Sequence, residues 1–139
     1  MNDSTKTPFL VVHPTGNTYV RHDLQALHEA ARLTCYLTGL GFSRKSLWAD
    51  FPGPEGLRTE LRRRAYDLPE NLIKAHPLRE MVRLLAPRLK LNSLTTHETG
   101  WASVDAVFQS LDRAGAREIA TSRSRTGAVL AYEDGAEQT

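Results

Sequence analysis

"FLVVHPTGNTYVRHDLQALHEAARLTCYLTG", residues 9–39, is the stretch on which the fold turns. Its opening run, Phe9 to Val12, has the composition of a strand buried on both faces. His13-Pro14 stops that strand, because proline has no N–H to give to a central ladder. From Thr18 onward Val20, Leu24, Leu27 and Ala31 return at helical spacing, with Arg21, Gln25, Glu29 and Arg32 elsewhere on the wheel. Asn17 stands where its side-chain oxygen can accept from the free N–H groups of the first helical turn. "LTCYLTG" then returns to strand composition, and Gly39 and Gly41 end it. Strand, helix and strand within about 30 residues make a βαβ unit, whose crossover leaves the two strands parallel. The sequence therefore opens an α/β sheet.

Beyond this unit, residues 42–99 read as helix and loop, with "FPGPEG" marking a break that neither a helix nor a central strand tolerates. His76-Pro77 can open a helix whose stripe is Leu78, Val82, Leu85 and Leu89, and Pro87 kinks it or ends it near Ala86. Another helix is expected from about Ser103, with Val104, Phe108, Leu111 and Ile119 on one side and Gly115 on the same face for close packing. "GAVLAY" is the next strand, followed by Glu133-Asp134-Gly135. A buried strand normally feeds a helix that covers its sheet, so this carboxyl-terminal edge looks cut.

The 139 residues fit one domain, spanning 1–139. Hydrophobic residues at 40% and charged residues at 24% are those of an ordinary globular chain, neither disordered nor membrane-spanning. A net charge of +2 is too slight to imply nucleic acid, which needs a concentrated basic face. The single cysteine, Cys35, rules out an internal disulfide framework, disfavours a cysteine-based zinc site and reads as a small core residue. The polar start "MNDSTKTP" and the short run "FLVV" lack the apolar length of a signal peptide or a bilayer span, so a cytoplasmic location is expected.

Three junctions carry candidate chemistry, each beside a plainer reading. In open α/β sheets ligands collect beyond the carboxyl ends of the strands, where "HPTGN" would offer backbone N–H groups at the positive end of a helix. Gly16 would allow close approach, and Thr15, Asn17 and Thr18 could hydrogen-bond a substrate; alternatively these residues merely turn the chain and cap the helix. "LTTHETGWASVD" places His97 and Glu98, which want partners, beside Trp101, which wants burial. Its plainer reading has Trp101 anchoring the loop in the core and Ser103 capping the next helix. Glu133 and Asp134, after the last strand, could hold sugar hydroxyls or orient a proton donor, or could form a solvated turn.

Other signals point away from familiar sites. No G-x-G-x-x-G follows the first strand and no G-x-x-x-x-G-K-[ST] exists, which argues against dinucleotide and P-loop binding. His22 and His28, six residues apart on the first helix, do not share a face for a metal and read as surface residues. The basic run "RTELRRR", with Arg44 and Lys45 among Phe42, Leu47, Trp48 and Phe51, reads as a solvated face or as a surface for anionic lipid or a phosphorylated acceptor.

Together "FLVVHPTGNTYVRHDLQALHEA", "LRRRAYDLPENLIKAHPLREMVRLLA", "HETGWASVDAVFQSLDRA" and "AVLAYEDGA" resemble the amino-terminal half of bacterial glycosyltransferases of the GT-B type, in the broad family 4-like group, over residues 9–136. The resemblance implies a Rossmann-like three-layer domain with a mainly parallel sheet, the acceptor-side half of an enzyme whose donor-binding domain is absent from this chain. It implies transfer of a sugar from a nucleotide-sugar donor to a sugar, lipid or other hydroxyl acceptor, with no metal or other cofactor. His97, Glu98, Glu133 and Asp134 become candidate catalytic residues, and Thr15, Gly16, Asn17 and Thr18 candidate substrate-binding residues. Peripheral contact with the inner membrane face is compatible with it. Without the other half of the cleft, the chain alone should have little or no transferase activity. The competing expectation is a stand-alone α/β module that binds a small sugar or phosphate without catalysis.

Overall fold

A computed structural model describes residues 6–46, 50, 52–122 and 126–131. The chain runs β1 (Phe9–Val12), α1 (Thr18–Glu29), β2 (Leu33–Thr38), β3 (Phe42–Ser43), α2 (Glu55–Arg62), β4 (Ala65–Tyr66), β5 (Ile73–Ala75), α3 (Pro77–Leu85), α4 (Val104–Thr121) and β6 (Ala128–Ala131), with 3-10 turns at Glu70–Leu72 and Asn92–Thr95. Four strands form one sheet in the order β5-β2-β1-β6, and every pairing within it is parallel. This is the α/β, Rossmann-like architecture, with β3 and β4 pairing separately as a small parallel ribbon.

The alternation of side chains along β1 and β2 builds the three layers. Val11 and Tyr36 point to one face, where they pack with Val20 and Leu24 of α1 and with Tyr66 and Leu68. Leu10, Val12, Cys35 and Leu37 point to the other, against Leu111 of α4. Both faces of the central strands are therefore apolar, as the run "FLVV" requires. Cys35 is a buried core residue. A second small core joins Leu40, Phe42, Leu61 and Ala65, with Leu57, Met81 and Leu84 against it, so α2 and α3 enclose the β3–β4 ribbon.

Several local details differ from the sequence expectation. Ala31 lies beyond α1 with φ +54° and is exposed, so the buried stripe of that helix is Val20 and Leu24 with Leu27 half-buried. The segment read as helix and loop contains three short strands, each too brief to show a period of two. In α4 the buried stripe is Val107, Leu111 and Gly115, while Val104 and Ile119 are 45% and 36% exposed. The helix is thus rotated toward Val107, while Gly115 faces the sheet as the sequence led one to expect. A Cβ at Gly115 would sit 3.7 Å from both Leu37 Cδ2 and Val12 Cγ2, which is ordinary contact. Pro77 opens α3 and the helix ends at Leu85, two residues before Pro87. No helix among the described residues is long and apolar enough to cross a membrane.

The strand order sets where a ligand can sit. From β1 the chain moves outward to β2 and β5, then returns to the other side of β1 as β6. Such a reversal opens a crevice above the carboxyl ends of the strands.

Candidate functional site

Thr15, Gly16, Asn17 and Thr18 form the turn that leaves the carboxyl end of β1 and enters α1. Asn17 caps the helix, its Oδ1 accepting from Val20 N at 2.9 Å. The rest of the turn is wound around His13, which is 1% exposed. Its Nδ1 accepts from Thr15 N at 3.1 Å and from Gly16 N at 2.7 Å, so the N–H groups that the sequence offers to a ligand are spent on the imidazole. Accepting at Nδ1 leaves the ring proton on Nε2. Thr38 Oγ1 and Gly39 N both donate to Pro14 O, at 3.0 and 3.2 Å, which stitches the turn to the end of β2.

Two tyrosines close the same turn from above. Tyr66 Oη donates to Thr15 O at 3.0 Å, Tyr36 Oη donates to His13 O at 3.3 Å, and the two hydroxyl oxygens lie 3.0 Å apart. The rings meet edge to face, with centroids 4.9 Å apart. Burial pushes both phenols above their ordinary range, and the neighbouring Tyr66 adds to the rise at Tyr36. Both hydroxyls thus remain protonated donors. Arg21 locks the assembly: its guanidinium lies 4.2 Å from the Tyr66 ring centroid and donates to Gly16 O, Ala65 O and Arg63 O.

His97 and Glu98 occupy the loop before α4, exposed at 74% and 78% and 3.8 Å apart between Nδ1 and Oε1. Glu98 adopts φ +64°, and Thr99 N donates to His97 O at 2.8 Å. Ser103 caps α4 through its Oγ, which accepts from Ala106 N at 3.2 Å. Trp101, which the plainer reading put in the core, is 44% exposed, and Gly100 and Ala102 are the buried residues of this turn. Arg79 reaches it from the first turn of α3, directly after β5, with its guanidinium 4.7 Å from the indole centroid and its Nη1 donating to Trp101 O. That contact puts the loop at the carboxyl rim, the edge that also carries the β1–α1 turn. Glu133 and Asp134 lie outside the described residues. β6, which precedes them, runs parallel to β1 with Val12 opposite Ala131, so both strands end at the same rim.

A buried ion cluster supports the rim from below. Arg64 Nη2 donates to Glu80 Oε1 at 2.6 Å, with side-chain exposures of 6% and 1%, and Arg83 adds two further hydrogen bonds to the same carboxylate. Burial pushes the Glu80 carboxyl up, but the Arg83 and Arg64 guanidinium groups outweigh it, and the carboxyl lies below its usual range. Glu80 packs beside Gly39, where an added Cβ would lie 3.6 Å from Glu80 Cβ. Arg64 Nε is buried with no partner among the described residues.

A further concavity lies off the rim. A groove of about 810 Å³ is bounded by His28 of α1, by Ser43 to Ser46 and by Tyr66 to Glu70. Arg44 pairs with Asp67 at 2.8 Å in its wall, and Glu70 Oε2 accepts from Ser43 N at 2.9 Å. No group of three potential metal ligands occurs among the described residues.

His13, Arg21, Tyr36, Arg64, Tyr66 and Glu80 thus build the rim without having been singled out as site residues in the sequence. Arg21 was visible only as a residue off the apolar stripe of α1, and Arg64 only as the last of the basic run 58–64, read as a solvated face or an anionic-lipid surface. Comparison with protein-family models, curated proteins and solved structures yields no match, so the functional argument rests on the chain's own motifs and geometry.

Proposed function

We propose that this chain is the acceptor-side domain of a GT-B-type glycosyltransferase. The observation that carries the reading is that two of its distinctive motif segments, the β1–α1 turn and the His97–Trp101 loop, share the carboxyl rim of a parallel sheet at its reversal in strand order. In the proposed reaction the bond between the anomeric carbon and the donor's diphosphate oxygen breaks, and a bond from that carbon to the acceptor oxygen forms. The acceptor's proton passes to a rim base or to the leaving diphosphate. His97 and Glu98, exposed and adjacent, are the groups of this domain proposed to meet the acceptor hydroxyl, with Glu133 and Asp134, which follow β6 in the sequence, as further candidates. Thr15 and Thr18, exposed beside the buried Gly16, supply further hydroxyls at the helix terminus. A donor domain opposite the rim would complete the cleft and exclude water, so the isolated chain is expected to turn over no donor.

The test is nucleotide release by the full-length protein from radiolabelled UDP-, GDP- and ADP-sugars in the presence of bacterial lipid and saccharide extracts. Transfer of label that falls at least roughly a hundredfold in His97→Ala or Glu98→Gln supports the reading. Absence of both release and transfer with every donor rejects it.

A second reading, a non-catalytic binding module for a small sugar or phosphate, draws on a different feature, the groove beside α1 whose wall carries Arg44, Lys45 and Asp67. Calorimetry with sugar phosphates separates the two: binding that Lys45→Glu abolishes, in a protein with no turnover at full length, favours the module.

A further inference from the structure

Four exposed large apolar side chains share one place in the fold. Tyr19, Leu78 and Val104 lie in the first turns of α1, α3 and α4, and Trp101 lies just before α4; their exposures are 78%, 67%, 45% and 44%. In a parallel α/β sheet these helix starts gather at the carboxyl rim. Trp101 is held in place by its loop and by Arg79. Gly100 N donates to Thr96 O and Ala102 N to Leu94 O, both at 2.8 Å, which winds the loop tightly beneath the indole. A Cβ at Gly100 would approach Leu94 O and Thr96 N to 2.6 Å, so the turn admits only glycine there. Arg79 braces both the ring and the carbonyl of Trp101.

With Arg79 over one face of the half-exposed indole, the opposite face is the one a ligand can meet, and an aromatic ring held in one orientation loses little freedom on binding. Its neighbours decide what it fits. His97 and Glu98 stand on the same turn and are strongly exposed, whereas the core of a protein interface is depleted of glutamate and other charged groups. An apolar plane beside polar, titratable groups matches a pyranose ring, whose C–H face is apolar and whose edge carries hydroxyls. We propose that Trp101 is the stacking platform for a sugar ring of the acceptor, with His97 and Glu98 placed to meet its hydroxyl edge. The assignment of that sugar to the acceptor rests on the glycosyltransferase reading.

The chain has two tryptophans, Trp48 and Trp101, so in a Trp48→Phe background the emission reports on Trp101 alone. Titration of this variant with maltose, lactose and N,N′-diacetylchitobiose is expected to give a saturable emission change with at least one disaccharide. Nuclear magnetic resonance titration of Trp101→Ala should then show affinity weakened roughly tenfold or more, with Trp101→Phe in between. Thermal unfolding establishes that each variant is folded. No emission change with any of the three sugars overturns the platform. So does an indole that acrylamide cannot quench in the sugar-free Trp48→Phe protein, since that marks a covered ring instead. The two proposals fail separately: disaccharide binding at Trp101 without donor turnover removes only the transferase, whereas sugar transfer with an acceptor KM that Trp101→Ala leaves unchanged removes only the platform.

Discussion

Gly16 shows how much a single position carries. Its φ of +59° lies in the left-handed region, and the space where a Cβ would go is filled by the hydroxyls of Tyr66 and Tyr36, the latter only 2.8 Å away. The left-handed conformation alone costs a non-glycine residue about 1–2 kcal/mol. Gly16→Ala must also displace two buried phenols that hold the turn through Thr15 O and His13 O. A loss of at least about 3 kcal/mol in chemical denaturation is expected. A variant as stable as the parent would show that the turn is not wound as described. The sequence showed that a glycine was needed at this junction, but left its purpose open between ligand approach and a tight turn. The answer lies in Tyr66, 50 residues further along the chain, which no local pattern connects to it.

At the scale of the element, α4 was visible as a helix but its rotation was not. Val104, Phe108, Leu111 and Ile119 make one plausible apolar side with Gly115 on it; the helix does bury Leu111 and Gly115, but with Val107 rather than Val104 and Ile119. Apolar residues surround enough of this helix that periodicity admits more than one face. The sheet selects the face that lets the backbone come closest to Leu37 and Val12. Because a methyl group at Gly115 would make only 3.7 Å contacts, Gly115→Ala is expected to be neutral or to stabilise by up to about 1 kcal/mol through helix propensity. A clear loss of stability in thermal unfolding would place the helix nearer the sheet than found. α1 behaves differently, since the Asn17 cap and the buried pair Val20 and Leu24 were both readable in advance. Its Arg21 was not, because that side chain reaches the Ala65 and Arg63 carbonyls more than 40 residues away in sequence.

For the whole molecule, the Arg64–Glu80 pair couples the β3–β4 side to α3 beneath the rim, and its pH response follows from its charge. The folded Glu80 carboxyl titrates below its ordinary value of 4.5, so the ionised form stabilises the fold at neutral pH. That contribution is present above pH 4.5 and is lost as pH falls through the lower folded value. Denaturation midpoints should therefore fall along an acid limb that Glu80→Gln flattens. At neutral pH, Glu80→Ala leaves the buried Arg64 paired only through Nη1 with Glu60 and should cost about 2–4 kcal/mol. An acid limb identical in the parent and in Glu80→Gln would remove the pair from this role. By itself, the sequence determined the α/β class, the first βαβ unit, the cap of α1, the end of α3 and the start of α4. Each follows from residues within a few positions of one another, through alternation, helical period, capping and proline geometry. The tertiary structure alone decided that His13 occupies the backbone donors of its own loop. It also decided that two tyrosines fill the glycine's space and that Trp101 stands at the surface while Arg64 is buried. These outcomes depend on which distant side chains compete for the same few cubic ångströms and the same hydrogen-bonding groups, and that competition exists only once the strands have paired.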